Sequence, residues 1–244
     1  MRYAVLGDIH SNESALRVVL EAIDRSHVDQ IISVGDVVGY GAAPQACIDL
    51  LREREAVVVM GNHDAACVGQ LDDHTFNQYA RAAVAWTRNE LSRESLRWLE
   101  SLPLMVSLGH CQVAHGSIHD PALFEYVRTT GDANPSLDQM TLPVAFVGHT
   151  HVPIALLRLA DSQGRTAYAP TIDLDLSESD RCLINVGSVG QPRDEDHRTG
   201  WVLFDSDAEL VRIERLEYDI EREAARIRDA GLPRVLGDRL YLGV

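Results

Sequence analysis

The residues that could do chemistry gather in five short motifs: Gly-Asp-Ile-His (Asp8, His10), Gly-Asp (Asp36), Gly-Asn-His-Asp (Asn62, His63, Asp64), Ala-His-Gly (His115) and Gly-His-Thr-His (His149, His151). Each follows an apolar run. Together they offer imidazole nitrogen, carboxylate oxygen and one amide oxygen, with no thiolate. That donor set suits borderline divalent ions such as Mn, Fe, Zn or Co better than a structural zinc. An amide oxygen beside a carboxylate that can be shared also suits two metals better than one. A lone Asp-x-His or His-x-His pair arises readily by chance and is ordinarily structural; recurrence after five apolar runs is what points to a metal site.

Spacing adds a geometric expectation. If Gly148 to His151 is extended, residues i and i+2 point the same way, so His149 and His151 face one side together, as do Asp8 and His10. Glycines beside the motifs (Gly7, Gly35, Gly61, Gly116, Gly148) remove bulk where the backbone must turn tightly near ions.

The elements that must position these residues read as alternating strands and helices. Tyr3 to Leu6 is an apolar run, followed by an Asn12 cap and a helix with Ala15, Leu16, Val19, Leu20 and Ile23 on one face. Ile31 to Val34 repeats the arrangement and leads into a helix opened by Pro44, with Cys47, Ile48, Leu50 and Leu51 inward. Ala56 to Met60 is a third strand, continuous enough to be buried on both faces. Three βα units predict a mostly parallel sheet, and in open α/β sheets ligands bind beyond the carboxyl ends of the strands, where the motifs converge.

From Ala65 to Leu102 the pattern turns helical and lies near the site. Thr75 with Gln78 reads as a capping box before Tyr79, Ala82, Ala83 and Trp86, and a second helix follows Ser92 with Leu96 and Leu99 inward. Tyr79, Trp86 and Trp98 are available to line a pocket, although ordinary core packing is the reading favoured. Gly116 to Leu142 shows no clear periodicity and reads as a long surface connection, a kind of loop that is often functional. Strands follow at Met105 to Leu108, Cys111 to Ala114, Val144 to Val147, Ile154 to Leu159 and Arg165 to Ala169, the last two flanking a turn at Asp-Ser-Gln-Gly (161–164). After an acidic loop at 173–180 come three more strands and a helix from about Asp219 to Ala230.

Composition narrows the partners. The 244 residues are enough for one sizeable core, and no linker or repeat divides them, so a single domain over 1–244 is expected. The net charge of -15 disfavours extended nucleic acid and membrane surfaces. All 22 basic residues are arginine, which carries no functional weight. Cys47, Cys67, Cys111 and Cys182 lack Cys-x-x-Cys spacing and read as buried apolar residues in a reducing compartment. No signal-like N-terminus and no run near the roughly 18 residues that span a bilayer is present, so a cytoplasmic protein is expected.

The five blocks, in this order, resemble the calcineurin-like metallophosphoesterase superfamily, over residues 1 to about 215. The resemblance is closest to its compact bacterial and archaeal branch, which also carries the stretch seen here as Asn-Val-Gly-Ser-Val-Gly-Gln-Pro-Arg (Asn185 to Arg193). It implies a four-layer α/β/β/α sandwich of two mixed sheets with a dinuclear metal site at the strand ends. It implies that Asp8, His10 and His151 hold one divalent ion, that Asn62, His115 and His149 hold the second, and that Asp36 bridges them. A hydroxide between the ions would then attack phosphorus directly. His63 is expected to stabilise the developing charge or protonate the leaving oxygen, with Asp64 setting its tautomer or raising its pKa. Asn62 and Arg193 are candidates to contact the substrate, Arg193 by a bidentate hydrogen bond to phosphate. The glycines of the 185–193 stretch more simply make a turn that backs the metal loops. Tyr126 and Arg128 are expected to shape the pocket.

One departure narrows the substrate. Protein serine/threonine phosphatases of the superfamily carry Asp-Arg-Gly soon after the bridging aspartate and an arginine beside the Gly-Asn-His block; here the stretches are Gly-Asp-Val-Val-Gly-Tyr-Gly and Met-Gly-Asn-His-Asp, with Tyr40 in place of an arginine. Small phosphate mono- or diesters, nucleotides or dinucleoside polyphosphates therefore fit better than phosphoproteins. The alternative is a non-catalytic metal-binding scaffold of the same fold, which the completeness of the ligand set argues against.

Overall fold

The computed structural model describes residues 1–159, 164–169 and 173–244. The first three apolar runs become β1 (Arg2–Leu6), β2 (Gln30–Ser33) and β3 (Val57–Val58), joined by α1 (Glu13–Arg25) and α2 (Pro44–Glu53). The Asn12 carboxamide accepts from the Ala15 N–H as an N-cap, and Ala15, Leu16, Val19, Leu20 and Ile23 form the buried stripe of α1. Pro44 opens α2 at its first turn, where a missing N–H costs nothing. The third strand is shorter than its apolar run, because only Val57 and Val58 pair with β2 and the chain then turns away toward the site.

Helices α3 (Asn62–Cys67), α4 (Gln78–Glu90) and α5 (Arg93–Glu100) follow. Asn77, rather than Thr75, caps α4 by accepting from Tyr79 and Ala80, and the buried face is Ala80, Ala83, Val84 and Thr87. That phase leaves Tyr79 at the surface. Ser92 caps α5 as expected. The second half supplies β4 (Met105–Leu108), β5 (Cys111–Ala114), α6 (Thr130–Gln139), β6 (Val144–Val147), β7 (Ile154–Leu159), β8 (Thr166–Ala169), β9 (Asp173–Asp175), β10 (Ser179–Asn185), β11 (Thr199–Asp205), β12 (Leu210–Leu216), α7 (Ile220–Asp229) and α8 (Val235–Asp238).

Two expectations for loops are corrected. The 116–142 connection holds a 3-10 turn at Pro121–Leu123 and the helix α6, whose Pro135 and short buried face of Ala133, Ser136 and Leu137 blur the periodicity. A reciprocal Thr129–Asp132 capping box starts it. Part of the acidic 173–180 segment is also ordered, since Asp173–Asp175 pairs antiparallel with β12. The turn expected at 161–164 falls largely outside the described residues.

Two mixed six-stranded sheets result, in the orders β3-β2-β1-β11-β12-β9 and β4-β5-β6-β10-β7-β8. Strand alternation sorts the side chains into layers. Val5, Ile32, Val34 and Val202 from the first sheet meet Val113, Phe146, Ala155 and Ile184 from the second in the inter-sheet core. Ala4, Leu6 and Trp201 face α1 and α2 on one outer side, while Ala145, Leu156 and Leu183 meet Ala133 and Leu137 of α6 on the other. This is a four-layer α/β/β/α sandwich rather than one parallel sheet. The four cysteines are free and buried. Among the described residues no helix is long and apolar enough to cross a membrane.

Candidate metal centre

All five motifs meet where β1, β2, β5 and β6 end and α3 begins. The backbone there is not extended. Asp8, His10, Ser11, Asp36, Tyr40, His149 and His151 all have φ between 48° and 69°. In this left-handed region side chains other than glycine cost roughly 1–2 kcal/mol each, with Asp and His among the more tolerant. Such a run of strained residues is held by its surroundings and is typical of functional sites. It also overturns the same-face expectation for the His-x-His pair: His151 groups with Asp8 and His10, whereas His149 groups with Asp36 and His115. Gly61 lies so close to the Asp36 carboxylate that any side chain there would collide with it.

Hydrogen bonding fixes the proton positions on three imidazoles. The Nδ1 of His10 lies 3.1 Å from the Val38 carbonyl, that of His115 2.9 Å from the Val34 carbonyl, and that of His151 2.7 Å from the Gln191 carbonyl. A carbonyl only accepts, so each Nδ1 carries hydrogen and each neutral Nε2 presents a lone pair. Those lone pairs face one another. His10 Nε2 and His151 Nε2 are 3.1 Å apart, with Asp8 Oδ1 3.3 Å from the latter. His115 Nε2 is 2.9 Å from Asn62 Oδ1 and 3.2 Å from His149 Nδ1. Asp36 Oδ2 stands between the groups, 3.6 Å from His10 Nε2 and 3.4 Å from His115 Nε2. Two buried nests of acceptors demand positive charge, and divalent-cation binding fits both the donor chemistry and the outer-shell carbonyls.

Titration reflects the same demand. Burial holds His10, His149 and His151 well below the ordinary imidazole range, and lifts Asp8 to about 7. Burial also opposes charge on Asp36 and His115, but the two overcome it together: the surrounding imidazoles, His115 foremost, hold Asp36 well below the usual carboxylate range. In turn Asp36 and then Asp8 lift His115 to about 9. Without a cation, a proton on His115 takes its place.

His63 and Asp64 are placed differently from each other. The His63 main-chain N–H donates to Asp36 Oδ1 at 2.8 Å, its ring packs edge-on or tilted against Tyr40, Phe76 and His10, and its buried Nδ1 has no hydrogen-bond partner among the described residues. Burial lowers it to about 4. Asp64 does not reach that ring: its carboxylate accepts from the N–H groups of Gly61, Val37 and Val38. It ties the Asp36 loop to α3, and the expectation that it sets the His63 tautomer is not met by the geometry.

A cleft of about 920 Å³ opens beside the cluster, lined by the motif residues Asn62, His63 and His149 together with Tyr40, Phe76, Phe124, Glu125 and Tyr126. Tyr79, Trp86 and Trp98 are not in its wall; Trp86 and Trp98 pack against the core. Tyr126 stacks on His149 with ring centroids 3.8 Å apart, and Arg128 lies 4.1 Å over the Tyr126 ring. The 185–193 stretch backs the centre: Ser188 Oγ and the Gly190 N–H donate to the Asp8 carbonyl, and Gln191 orients His151. Arg193 follows, its Nη2 on the Gln191 amide oxygen and its guanidinium 5.6 Å from the Tyr40 ring centre.

The family model of the calcineurin-like phosphoesterase superfamily domain matches residues 1–209. The chain belongs to that superfamily. It is 34% identical over 249 residues to protein MJ0912 of Methanocaldococcus jannaschii, covering 98% of this chain and 97% of the relative. Among solved structures it resembles a metallophosphoesterase from Sphaerobacter thermophilus, with 41% identity, 100% and 99% coverage and a TM-score of 0.88. Protein PH1004 from Pyrococcus horikoshii OT3 shares the fold at 20% identity, with 100% and 98% coverage and a TM-score of 0.80.

In this calcineurin-like chain, sequence reading missed Phe76, Phe124 and the acceptor carbonyls of Val34, Val38 and Gln191. The aromatics carried no motif. The carbonyls are invisible in any residue pattern, though a left-handed run of Asp and His beside glycines is a faint trace of the loops that present them.

Proposed function

We propose that the protein is a divalent-cation-dependent phosphoesterase acting on small phosphate mono- or diesters. Asp8, His10 and His151 are donors to one cation, Asn62, His115 and His149 to a second, and Asp36 to both. The observation that carries this reading is the pair of facing lone-pair nests joined by Asp36 Oδ2. When bound, such cations supply Lewis acidity toward a phosphoryl oxygen and lower the pKa of a water nucleophile. The chain does the rest. The carbonyls of Val38, Val34 and Gln191 hold the imidazoles in the donor tautomer. His63, on the cleft wall, donates to the leaving oxygen or to the developing charge. Asn62 reaches both cation and substrate, and Arg193 is the candidate phosphate contact. Residues 1–244 act as one unit, since residues beyond 217 pack on Tyr40 in the site wall, and the four free, buried cysteines suit a reducing cytoplasm. The donor chemistry favours Mn, Fe, Zn or Co.

The test is hydrolysis of p-nitrophenyl phosphate and bis-p-nitrophenyl phosphate by metal-stripped protein, titrated separately with manganese, zinc, iron(II), magnesium and nickel. Turnover that needs metal and vanishes in Asp36→Asn supports the reading, and the ratio of the two rates ranks monoester against diester chemistry. Protein that binds two ions and hydrolyses neither ester with any metal would be the scaffold instead.

A further inference from the structure

The cleft is far larger than a phosphoryl group needs. Sites for drug-sized ligands begin at about 300 Å³, and a volume of about 920 Å³ leaves room for an organic body beside the scissile group. Beyond the metal donors and Tyr40, the wall comes from residues 71–80 and 119–135. Two of the chain's four phenylalanines and two of its seven tyrosines stand in this one wall, so flat apolar surface is concentrated there. Part of it is already used. Tyr40 and Phe124 are buried, and Tyr126 is engaged by the His149 ring at 3.8 Å and the Arg128 guanidinium at 4.1 Å. Phe76 is only half-buried, its ring centre 4.8 Å from that of His63, and Leu123 is 62% exposed. A lone exposed leucine needs no explanation; one set among aromatic rings in the wall of a cleft is surface that a ligand can cover.

Charge in the same wall has one sign. None of the 22 arginines is among the lining residues, whereas Glu125 and Asp132 are. Asp132 is spent on the N–H groups of Arg128 and Thr129 at the start of α6. Glu125 has a half-exposed side chain and pairs with the His119 imidazole at 3.3 Å. Arg193, the candidate for the scissile phosphate, sits on Gln191, and Arg128 lies over the Tyr126 ring. Past the scissile group, a second phosphate or carboxylate would therefore meet a carboxylate and no guanidinium, in a chain of net charge -15.

We propose that the substrate is an ester with a single phosphoryl group and an uncharged, planar aromatic body. Phe76 and Leu123 bind the body, and Glu125 turns away a second anion. This rests on the phosphoesterase reading and deepens it, because it separates aromatic monophosphates from sugar phosphates, bisphosphates and polyphosphates.

Two matched pairs test it, each pair sharing its type of leaving alcohol: adenosine 5′-monophosphate against methyl ribofuranoside 5-phosphate, and benzyl phosphate against cyclohexylmethyl phosphate. Adenosine 3′,5′-bisphosphate adds the second anion. Hydrolysis is read as kcat/KM on manganese-loaded protein, and binding by calorimetry with the methylene phosphonate analogues, which cannot be hydrolysed. The aromatic member of at least one pair should be favoured about tenfold or more, the scale of a base stacked on an aromatic side chain. A gain in the adenosine pair alone assigns a nucleobase, a gain in the benzyl pair alone assigns a simple aryl group, and a gain in both assigns the ring they share. Leu123→Ala and Phe76→Ala should each lower that preference by about threefold or more, and Leu123, being exposed, can be cut back without disturbing the core. The bisphosphate should fall about threefold or more below the monophosphate, with Glu125→Gln narrowing the gap. Ratios near one in both pairs, a preference untouched by both truncations, or a bisphosphate used as well as the monophosphate would overturn the proposal. A preference that stands in binding while no ester is hydrolysed would refute the phosphoesterase reading and leave the aromatic site intact.

Discussion

His149 and His151 sit two residues apart in one motif, yet the structure steadies them by different means. His151 is fully enclosed and tied through Nδ1 to the Gln191 carbonyl, as His10 beside it is tied to Val38. His149 turns its Nδ1 inward toward His115, and its ring is steadied by a stack on Tyr126 at the cleft edge. The first donor group is therefore set by main-chain hydrogen bonds in the buried loops past the strand ends. The second depends partly on a ring supplied by the 116–129 connection. If both groups take a cation as proposed, the two sites should then differ in rigidity and in exposure to substrate.

Asp36→Asn is the largest break, because its Oδ2 serves both groups. It should abolish the second bound cation in calorimetry and take turnover to background. Retention of two tight ions in this variant would show that the groups are independent. His63→Ala should lower kcat by about 10²–10⁴-fold, the usual range for a proton-transfer group, with both cations still bound. Asp64→Asn separates the two roles once assigned to that pair: leaving buried N–H groups unsatisfied should cost about 1–3 kcal/mol in denaturant titration, while the pH profile of turnover keeps its position. A shifted profile would restore Asp64 as the tuner of His63.

The two groups should also respond differently to pH. In the metal-free state His115 is raised to about 9 and Asp8 to about 7. Both shifts favour the protonated form, and a cation must displace those protons, so its affinity falls as pH drops below each value. The Asp36–His115–His149 group should gain affinity with rising pH up to about 9, by about tenfold per unit for one displaced proton. The Asp8–His10–His151 group should level off near 7. Proton release measured in buffers of different ionisation enthalpy checks both windows, and identical pH dependence for the two ions would contradict the assignment.

These differences also mark what could be read beforehand. The β1–α1–β2–α2 half was legible because burial on one helix face and at continuous strands writes itself as periodicity, and the Asn12 cap and Pro44 start are local rules. The ligand types were legible because metal chemistry restricts them to a few side chains. What hid was conformation at single residues: left-handed φ at Asp8, His10, His149 and His151 is enforced by tertiary contacts, and it split a pair that strand geometry would have kept together. Helix α6 hid behind Pro135, although Thr129 and Asp132 announced its start.

The smallest expected effect falls on the softer of the two sites. Tyr126→Ala removes the ring on which His149 rests and, with it, the platform under Arg128. Outer-shell partners of a ligating histidine are ordinarily worth 10–100-fold in metal affinity, and a stacking partner without a hydrogen bond belongs at the lower end. The variant should weaken the second cation by about tenfold and leave the first unchanged, since no main-chain anchor of His10 or His151 is disturbed. Tyr126→Phe keeps the ring and should keep the affinity. If both cations weakened equally in Tyr126→Ala, the connection would be supporting the whole loop cluster, and the contrast between a site fixed by carbonyls and a site fixed by a ring would fail.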